Sequence, residues 1–387
     1  MLDLLLHADV YAPEPLGPRA VLVGGGRVLS ITDAAPELAG VEVRTTDLEG
    51  RRLVPGLVDA HVHVTGGGGE AGPHTAAPAP ALTAYTAAGV TSVVGLLGTD
   101  DTTRTTGGLL RQVYGLRREG LSAWAWTGGY HLPPTTLTGS VRGDVAFVEP
   151  IVGFGELAVS DHRSSQPTAD EVARLAADCH VAGLMTGKAG VLHLHLGDGA
   201  RGLGLVRQLV RETEIPARTF HPTHVNRRAA LLDEAFALTA EGVTVDVTAF
   251  PPAFAAGDEV LAADALVRAL DAGLDERVTV SSDGGGCLPH FSAQGELLQM
   301  DFATSGALAD LLADLLGRGV PLHRALPFFT RTPARLLRLA RKGGVAVGHD
   351  ADLVVLDDAG RPSDVMARGR WHVRGGRPVV RGTFEAP

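Results

Sequence analysis

Two histidines stand one residue apart in the stretch "LVPGLVDAHVHVTGGGGEAGP", which covers residues 53–73. Side chains alternate along a β-strand, so His61 and His63 point the same way if the apolar run before them is a strand. Two imidazoles on one face are well placed to bind a metal ion. The alternative is a pair of structural histidines. Their spacing and the glycine-rich loop after them favour the metal site.

Other apolar runs end in the same residue types. They offer His195 in "HLHLGD", His224 in "HPTHVNR", Asp283 in "VSSDGGG" and Glu156 in "FGELAVSDHRS". Four histidines and two carboxylates suit a borderline cation such as Zn²⁺ better than Ca²⁺ or Mg²⁺. Six ligands exceed the needs of one tetrahedral zinc ion. A two-metal site with a bridging carboxylate and a bridging hydroxide fits that number.

Eight short apolar runs supply these positions, and most are separated by segments with helical spacing. The runs are "GLVDAHVHV", "VTSVVGLLG", "SAWAWTGGY", "GELAVSD", "GVLHLHLGD", "TFHPTHV", "VTVDVTAF" and "RVTVSSDG". Between them, "PTADEVARLAADCHVAG" predicts a helix with Thr168 as its N-cap and Glu171 completing a capping box. Strand and helix in alternation predict an α/β protein with a (β/α)8 TIM-like barrel, whose active site lies at the carboxyl ends of the strands.

The two ends of the chain have a different pattern, with short alternating runs and turn glycines. Residues 1–54 and 345–387, including the final "RGTFEAP", are interpreted as strands of one small β-sandwich domain built from both termini. Residues 55–344 then form the catalytic barrel.

Composition limits the possible partners and location. The chain has 387 residues, a formal net charge of −10 and no basic run, which disfavours nucleic acid and anionic membranes as partners. Its two cysteines, Cys179 and Cys287, indicate a reducing compartment rather than a disulfide framework. The first residues lack a signal-peptide pattern, and no apolar run is long enough to span a bilayer. We expect a cytoplasmic protein.

Several motifs together identify a family. "PGLVDAHVH", the later histidines, "SSDG" and "GHDADLVVLD" resemble the amidohydrolase superfamily. "HVHVTGGGGEAGP", "TGGYHLP", "SDHRS", "PTHVNR" and "GTFEAP" are similar to the isoaspartyl dipeptidases within it. The matching motifs are spread over nearly the whole chain.

This resemblance implies a ligand set. His61, His63 and Asp283 would bind one Zn²⁺, and His195 and His224 the second, giving two per chain. The family bridges its metals with a carboxylated lysine on the fourth barrel strand, where this chain has Glu156. Glu156 is expected to bridge directly. The alternative is one well-held metal, with Glu156 as a terminal ligand or a supporting residue.

The resemblance also implies a substrate, an isoaspartyl dipeptide with one ammonium and two carboxylate groups. Glu70 is expected to bind the ammonium, and Arg163 and Arg227 the carboxylates. Tyr130 would donate a hydrogen bond to the scissile carbonyl oxygen. The remaining predicted substrate contacts are Gly68, Thr99 and Cys287, the last at a position where the family tends to have serine.

In the implied mechanism a metal-bridging hydroxide attacks the β-amide, and Asp283 acts as general base and then as general acid, giving aspartate and an amino acid. Asp161 and Asp198 are candidates to orient ligand histidines, whereas His193 and His221 are expected to be supporting or structural. Family members form large homo-oligomers, such as octamers. Two alternatives stay open: another amidohydrolase acting on cyclic amides or N-acyl amino acids, and a non-enzymatic scaffold.

Overall fold

The structure is a computed structural model that describes residues 2–252, 257–291 and 297–386. Five strands precede the first histidine pair, where the sequence predicts strands. They are β1 (Leu2–Tyr11), β2 (Pro15–Gly24), β3 (Arg27–Thr32), β4 (Val43–Asp47) and β5 (Arg52–Pro55).

All eight apolar runs predicted to be strands are strands in the structure. They are β6 (Leu57–Val62), β7 (Val90–Gly95), β8 (Ser122–Thr127), β9 (Ile151–Val159), β10 (Val191–Leu196), β11 (Phe220–Thr223), β12 (Val245–Thr248) and β13 (Val278–Ser281). The first six form one parallel sheet in the order β11-β10-β9-β8-β7-β6, and β12 pairs in parallel with β13. Every residue of these eight strands except Trp124 is buried, as expected for parallel strands covered on both faces.

The segment after β13 lies beside β6, the edge strand of the six-stranded sheet. The backbone N–H of His63 donates to the carbonyl of Gly284 at 2.8 Å. Asp59 accepts hydrogen bonds from the backbone and the hydroxyl of Ser282. The two parallel units therefore meet next to the first histidine pair.

Helices follow most of these strands. They are α1 (Leu82–Thr86), α2 (Thr106–Glu119), α3 (Val141–Phe147), α4 (Ala169–Thr186), α5 (Gly204–Glu212), α6 (Ala229–Thr239), α7 (Ala262–Asp271), α8 (Gly306–Gly317), α9 (Leu322–Phe329) and α10 (Arg331–Leu336). The predicted capping box at Thr168 and Glu171 begins α4, and Gly187 ends it in the left-handed conformation. Among the helices of the described ranges, none is long and apolar enough to cross a bilayer.

Strands from both ends of the chain form one nine-stranded sheet. After the antiparallel pair β14 (Cys287–Phe291) and β15 (Leu297–Phe302), the last strands are β16 (Leu353–Leu356), β17 (Pro362–Ala367), β18 (Arg370–Arg374) and β19 (Arg377–Pro378). The sheet order is β19-β18-β17-β16-β5-β1-β2-β3, with β4 paired to β1. Within the order of the sheet, strands from the two ends are joined by the antiparallel pairing of β5 with β16.

The strand predicted for "RGTFEAP" is wrong. Residues 381–386 form turns and bends. The Glu385 carboxylate accepts hydrogen bonds from the backbone N–H groups of Gly382 and Thr83, and it also binds the Thr83 hydroxyl. The hydrogen bonds to Thr83 hold this segment against the start of α1, and the segment does not pair with a strand.

Candidate metal centre

The six predicted metal ligands meet at the carboxyl ends of the strands. His61 lies in β6, Glu156 in β9 and His195 in β10, while His63, His224 and Asp283 follow the ends of β6, β11 and β13. His224 and Asp283 have positive φ angles of 60° and 53°. This left-handed backbone is uncommon outside glycine, and here it occurs directly beyond two strand ends. All six residues are buried.

Glu156 lies at the centre of the cluster. Its Oε2 is 3.1 Å from His195 Nδ1, 3.6 Å from His61 Nε2 and 3.7 Å from His224 Nε2. Its other oxygen, Oε1, is 3.7 Å from His63 Nε2. A single carboxylate thus faces all four histidines, which is the arrangement required of a bridging ligand.

Asp283 completes one side of the cluster. Its Oδ1 lies 3.0 Å from His63 Nε2 and 3.2 Å from His61 Nε2. Three groups of ligand atoms lie within 4.8 Å of one another: His61, His63 and Glu156; His61, His224 and Asp283; Glu156, His195 and His224. Glu156 belongs to groups on both sides, and so does His61.

The donor set fits metal ions. His61 Nε2, Glu156 Oε1 and Asp283 Oδ1 are buried and have no hydrogen-bond partner of acceptable geometry. Buried polar atoms without partners are rare because the lost hydration is not replaced. Three such atoms in one cluster are explained if cations bind there.

No lysine reaches this centre. Lys188 and Lys342 are the chain's two lysines. Lys188 donates to the carbonyl oxygens of Val145 and Val148, each at 2.7 Å, and Lys342 donates to the Ser122 hydroxyl at 2.7 Å. A carboxylated lysine therefore has no counterpart here, and Glu156 occupies the central position instead.

The charges of the cluster depend on one another. Burial acts to raise the pKa of Glu156, but the neighbouring imidazoles of His61 and His195 outweigh it and hold the pKa well below its usual range. Burial acts to raise the pKa of Asp283, but the adjacent imidazoles of His61 and His63 outweigh it and also hold the pKa well below its usual range. Both carboxylates are therefore ionised at neutral pH. In contrast, burial raises the pKa of Asp59 to about 6.

The ligand histidines are held from behind by different partners. His195 Nε2 lies 3.1 Å from Asp161 Oδ2, and His224 Nδ1 lies 2.6 Å from the Thr248 hydroxyl. Asp161 therefore has the orienting position predicted for it. Asp198 does not: its nearest ion pair is with Arg227 at 3.9 Å, because its side chain points into solvent with 77% exposure.

Tyr130 borders the centre on the His195 side. Its hydroxyl is 2.8 Å from His195 Nδ1, the ring nitrogen that faces Glu156. Burial and the charge of Glu156 raise the pKa of Tyr130 well above 10, while Arg163 and Arg227 act to lower it. The phenol is therefore protonated and able to donate, with two guanidinium groups within electrostatic range.

Glu70 is paired in this structure. Its carboxylate accepts a hydrogen bond from the Thr99 hydroxyl at 3.0 Å and lies 3.2 Å from Arg163 Nη1. Arg163 also binds the buried Asp161 through Nη2 at 2.8 Å. Thr99, Glu70 and Arg163 thus form one connected polar group beside the cluster.

The glycine loop is fitted against the segment that follows Asp283. Gly68 has a φ of +74°, and a Cβ there would lie 1.8 Å from Cys287 Sγ, so only glycine fits. Cys287 in turn donates to the carbonyl of Thr75 at 3.2 Å. Beside this contact, a cleft of about 430 Å³ is lined in part by Asp283, Arg227, Phe250 and Leu288.

Sequence reasoning missed Arg104 as a supporting residue of this loop. Its guanidinium donates to the carbonyl oxygens of Gly67 and Ala77 at 3.3 and 3.4 Å, and it pairs with Asp100 at 2.8 Å. The four-residue spacing of Asp100 and Arg104 was the available signal. It looks the same as any exposed ion pair until the loop position is known.

Comparison with known proteins identifies the family. Residues 52–372 match the model of the amidohydrolase family. The chain belongs to the amidohydrolase family. Two structures of a beta-aspartyl dipeptidase from Fervidobacterium islandicum AW-1 are 36% and 35% identical to it, with TM-scores of 0.92 and 0.90, and the matches cover 100% and 98% of both chains. The first was solved in complex with a beta-Asp-Leu dipeptide. The predicted resemblance is therefore confirmed.

Curated relatives in the same family have other names. An allantoinase from Streptomyces avermitilis is 27% identical over 92% of this chain and 86% of its own length. An adenine deaminase from Oleidesulfovibrio alaskensis is 35% identical, but only over 22% of this chain and 15% of its own length. Family membership alone thus indicates a metal-dependent hydrolase and leaves the substrate open.

Proposed function

We propose that this protein hydrolyses the β-aspartyl bond of isoaspartyl dipeptides, releasing aspartate and a free amino acid. One observation carries the proposal: Glu70 and Arg163, which have opposite charges, lie together beside the candidate metal ligands. Arg227 lies in the adjoining cleft. The similarity to a beta-aspartyl dipeptidase over the full length of the chain supports it.

The charges of the cleft match those of the substrate. An isoaspartyl dipeptide carries one ammonium and two carboxylates around a single amide. Glu70 binds the ammonium, and Arg163 and Arg227 bind the carboxylates in the bidentate manner suited to guanidinium. Glu70 and Arg163 pair with each other in the free protein. When substrate binds, this ion pair is replaced by one between Glu70 and the substrate ammonium and one between Arg163 and a substrate carboxylate.

The amide is positioned by neutral groups. Tyr130 donates to the carbonyl oxygen, where negative charge develops during attack. Gly68 brings the loop backbone close to the substrate, and Thr99 keeps Glu70 in place. Cys287 lines the same wall, with a thiol that is a weaker hydrogen-bond donor than a serine hydroxyl.

The ligand set would hold two Zn²⁺ ions per chain, with Glu156 as the shared ligand. His61, His63 and Asp283 would hold one, and His195 and His224 the other. Bound there, zinc supplies Lewis-acid polarisation of the amide and a hydroxide nucleophile at neutral pH. Asp283, ionised at neutral pH, accepts the proton of the nucleophile and passes it to the leaving amine.

The same proposal includes the setting of the site. We infer that the eight parallel strands close into a (β/α)8 barrel spanning residues 55–344, and that residues 1–54 and 345–387 form a β-sandwich domain. We also infer a cytoplasmic location and a homo-oligomeric state, and light scattering on the purified protein tests the oligomeric state.

A second candidate is hydrolysis of cyclic amides, favoured by the similarity to an allantoinase over 92% of the chain. Such a substrate would use the same metal ligands. It has no ammonium for Glu70 and no pair of carboxylates for the two arginines, which is why we place it second.

The test compares β-Asp-Leu, α-Asp-Leu and allantoin as substrates for zinc-loaded protein whose metal content is measured. We expect cleavage of β-Asp-Leu alone, with about two metals per chain. The matched variant Glu70→Gln should keep its metal and raise KM for β-Asp-Leu. If the protein binds two metals but cleaves neither dipeptide, hydrolysis of cyclic amides becomes the favoured function. Cleavage with one metal per chain would contradict bridging by Glu156.

A further inference from the structure

A line of buried hydrogen bonds leads away from the metal centre through the interior. His61 Nδ1 lies 2.8 Å from His193 Nε2, and His193 Nδ1 lies 2.9 Å from His221 Nδ1. His221 Nε2 then lies 3.0 Å from the Thr279 hydroxyl, which donates to Asp246 Oδ1 at 2.5 Å. All five residues are completely excluded from solvent.

The line crosses most of the parallel strands. It starts on β6, passes through β10 and β11, and ends on β13 and β12. β6 and β11 are the two edge strands of the six-stranded sheet, and β12 with β13 forms the separate pair. Trp126 stacks on His193 at a ring distance of 5.1 Å and an angle of 14°, and its indole N–H donates to the carbonyl of Ala60.

Only one arrangement of protons satisfies the line. His61 Nε2 faces the metal cluster and must be unprotonated to bind an ion, so its proton is on Nδ1 and is donated to His193 Nε2. His193 must then carry its proton on Nδ1, which faces both His221 Nδ1 at 2.9 Å and the His221 carbonyl oxygen at 3.1 Å. His221 carries its proton on Nε2 and donates it to Thr279. With His61 bound to an ion, each of the three imidazoles carries one proton.

The direction is fixed at the far end by a carboxylate. Asp246 Oδ2 accepts hydrogen bonds from the hydroxyls of Thr223 and Ser281, while Oδ1 accepts from Thr279. The Thr279 hydroxyl has a single proton, which it donates to Asp246, so it accepts from His221. Every donor in the line therefore points towards Asp246.

We propose that His193, His221, Thr279 and Asp246 are positioning residues that hold His61 in the tautomer and orientation in which its Nε2 binds metal. A carboxylate or carbonyl commonly contacts a metal-bound histidine directly, fixing the tautomer and raising its basicity. Here the carboxylate acts from four hydrogen bonds away. This proposal depends on metal binding at the proposed site. It does not depend on which dipeptide the protein hydrolyses.

Two substitutions at His193 separate positioning from packing. His193→Gln retains an acceptor near the position of Nε2 and removes the ring that stacks on Trp126. His193→Phe retains a ring and removes the acceptor. We expect His193→Phe to weaken zinc binding about 10–100-fold and His193→Gln to stay closer to wild type. The reverse order would overturn the proposal, because it would show that the ring matters and the acceptor does not.

A matched pair of threonines tests the far end. Thr279 and Thr223 are both buried and both donate to Asp246, but only Thr279 also accepts from His221. Thr279→Val should weaken zinc binding by about tenfold, and Thr223→Val should have a clearly smaller effect. Equal effects of the two substitutions would overturn the proposal. This pair keeps the test decisive if either His193 variant does not fold.

The measurement is competition for Zn²⁺ against a chromophoric chelator, with the visible spectrum of Co²⁺-loaded protein as a second readout of ligand geometry. Urea unfolding of the metal-free variants identifies a general loss of stability. We expect Thr279→Val to change the Co²⁺ spectrum, and Thr223→Val to preserve it. Weaker metal binding that follows only the loss of stability in the metal-free proteins would show a structural role and refute the proposal. None of these readouts depends on dipeptide cleavage.

Discussion

His61 and His195 hold comparable positions but have opposite kinds of support. Both lie in parallel strands and both face Glu156. The other ring nitrogen of His61 bonds to a neutral, buried histidine, whereas that of His195 bonds to Asp161, which also pairs with Arg163. The first side of the centre is thus anchored in the interior, and the second is connected to the groups proposed to bind substrate. We infer that the two sides respond differently to substitution.

Glu156 is the carboxylate that faces all four histidines, so its removal should have the largest effect. Glu156→Ala is expected to lower the metal content below two per chain and reduce kcat/KM by more than the 10–100-fold loss typical of residues that only support a ligand. Metal analysis and steady-state kinetics measure both. Acetate added to the variant should restore part of the activity. Two metals and near-normal turnover in the variant would show that Glu156 does not bridge.

Asp283 lies against His61 and His63, and Asp283→Asn removes its proton-accepting charge. We expect kcat to fall by about 10²–10⁴-fold, the usual contribution of a general base, with the fold intact. Circular dichroism and thermal unfolding check the fold. Asp161→Asn is the control, because it changes a buried carboxylate on the opposite side. Turnover of Asp283→Asn close to wild type would exclude its role as base.

Asp161 distinguishes the two kinds of support. Asp161→Asn keeps an oxygen for His195 but loses the charge that pairs with Arg163. We expect a loss of about tenfold in metal affinity together with a rise in KM for β-Asp-Leu, because Arg163 loses one of its two carboxylate partners. His193→Phe on the other side should weaken metal binding without raising KM at saturating zinc. A rise in KM for both variants would remove the contrast between the two sides.

His372 is a third kind of buried histidine, with no hydrogen-bond partner at either ring nitrogen. Burial, assisted by the charge of Arg370, lowers its pKa to about 4, against about 6.5 in an unfolded chain. The folded state therefore binds fewer protons than the unfolded state between these values. The contribution of His372 to the free energy of unfolding is fully present above pH 6.5. It is lost as the pH falls towards 4, and the loss reaches about 3 kcal/mol.

His372→Phe should reduce this acid sensitivity of the metal-free protein, which urea unfolding at pH 7, 5.5 and 4.5 measures. This is the smallest of the expected effects, since other buried histidines also titrate. His221, whose pKa burial lowers to about 4, retains its contribution in the variant. An unchanged pH dependence would show that His372 is not excluded from water in solution.

The sequence predicted the strands and the clustering of the candidate ligands at their ends for a clear physical reason. Parallel strands buried on both faces need continuous β-branched and apolar runs, and a ligand at a strand end follows such a run directly, as His195 follows "VLHL". Glu156 was predictable because it replaces a residue in an otherwise matching motif. The predicted roles of these residues, in contrast, depend on the experiments above.

Other features depend on contacts between distant segments. The partners His193 and His221 were expected only to be supporting or structural, because nothing in the local sequence links them to Thr279 or Asp246. The ion pair of Glu70 with Arg163 joins residues far apart in the chain and needs the course of the loop. The pair β14–β15 was not predicted because its strands lack a continuous apolar run. The prediction of a strand for "RGTFEAP" was wrong for a related reason, since residues with a strand-like pattern form a strand only beside a partner strand.

The pairing of β5 with β16 has a consequence for the order in which the chain folds. Val54 pairs with Val354, so the ribosome must synthesise the whole segment between them before β5 can pair with β16. Pairings of such long sequence separation form slowly and leave strand edges exposed meanwhile. The helices and strands between them can assemble earlier, and closing the sheet from both ends is then a final step. A chain released before Leu353 would retain a folded centre and an uncovered strand, the kind of surface on which unfinished chains aggregate.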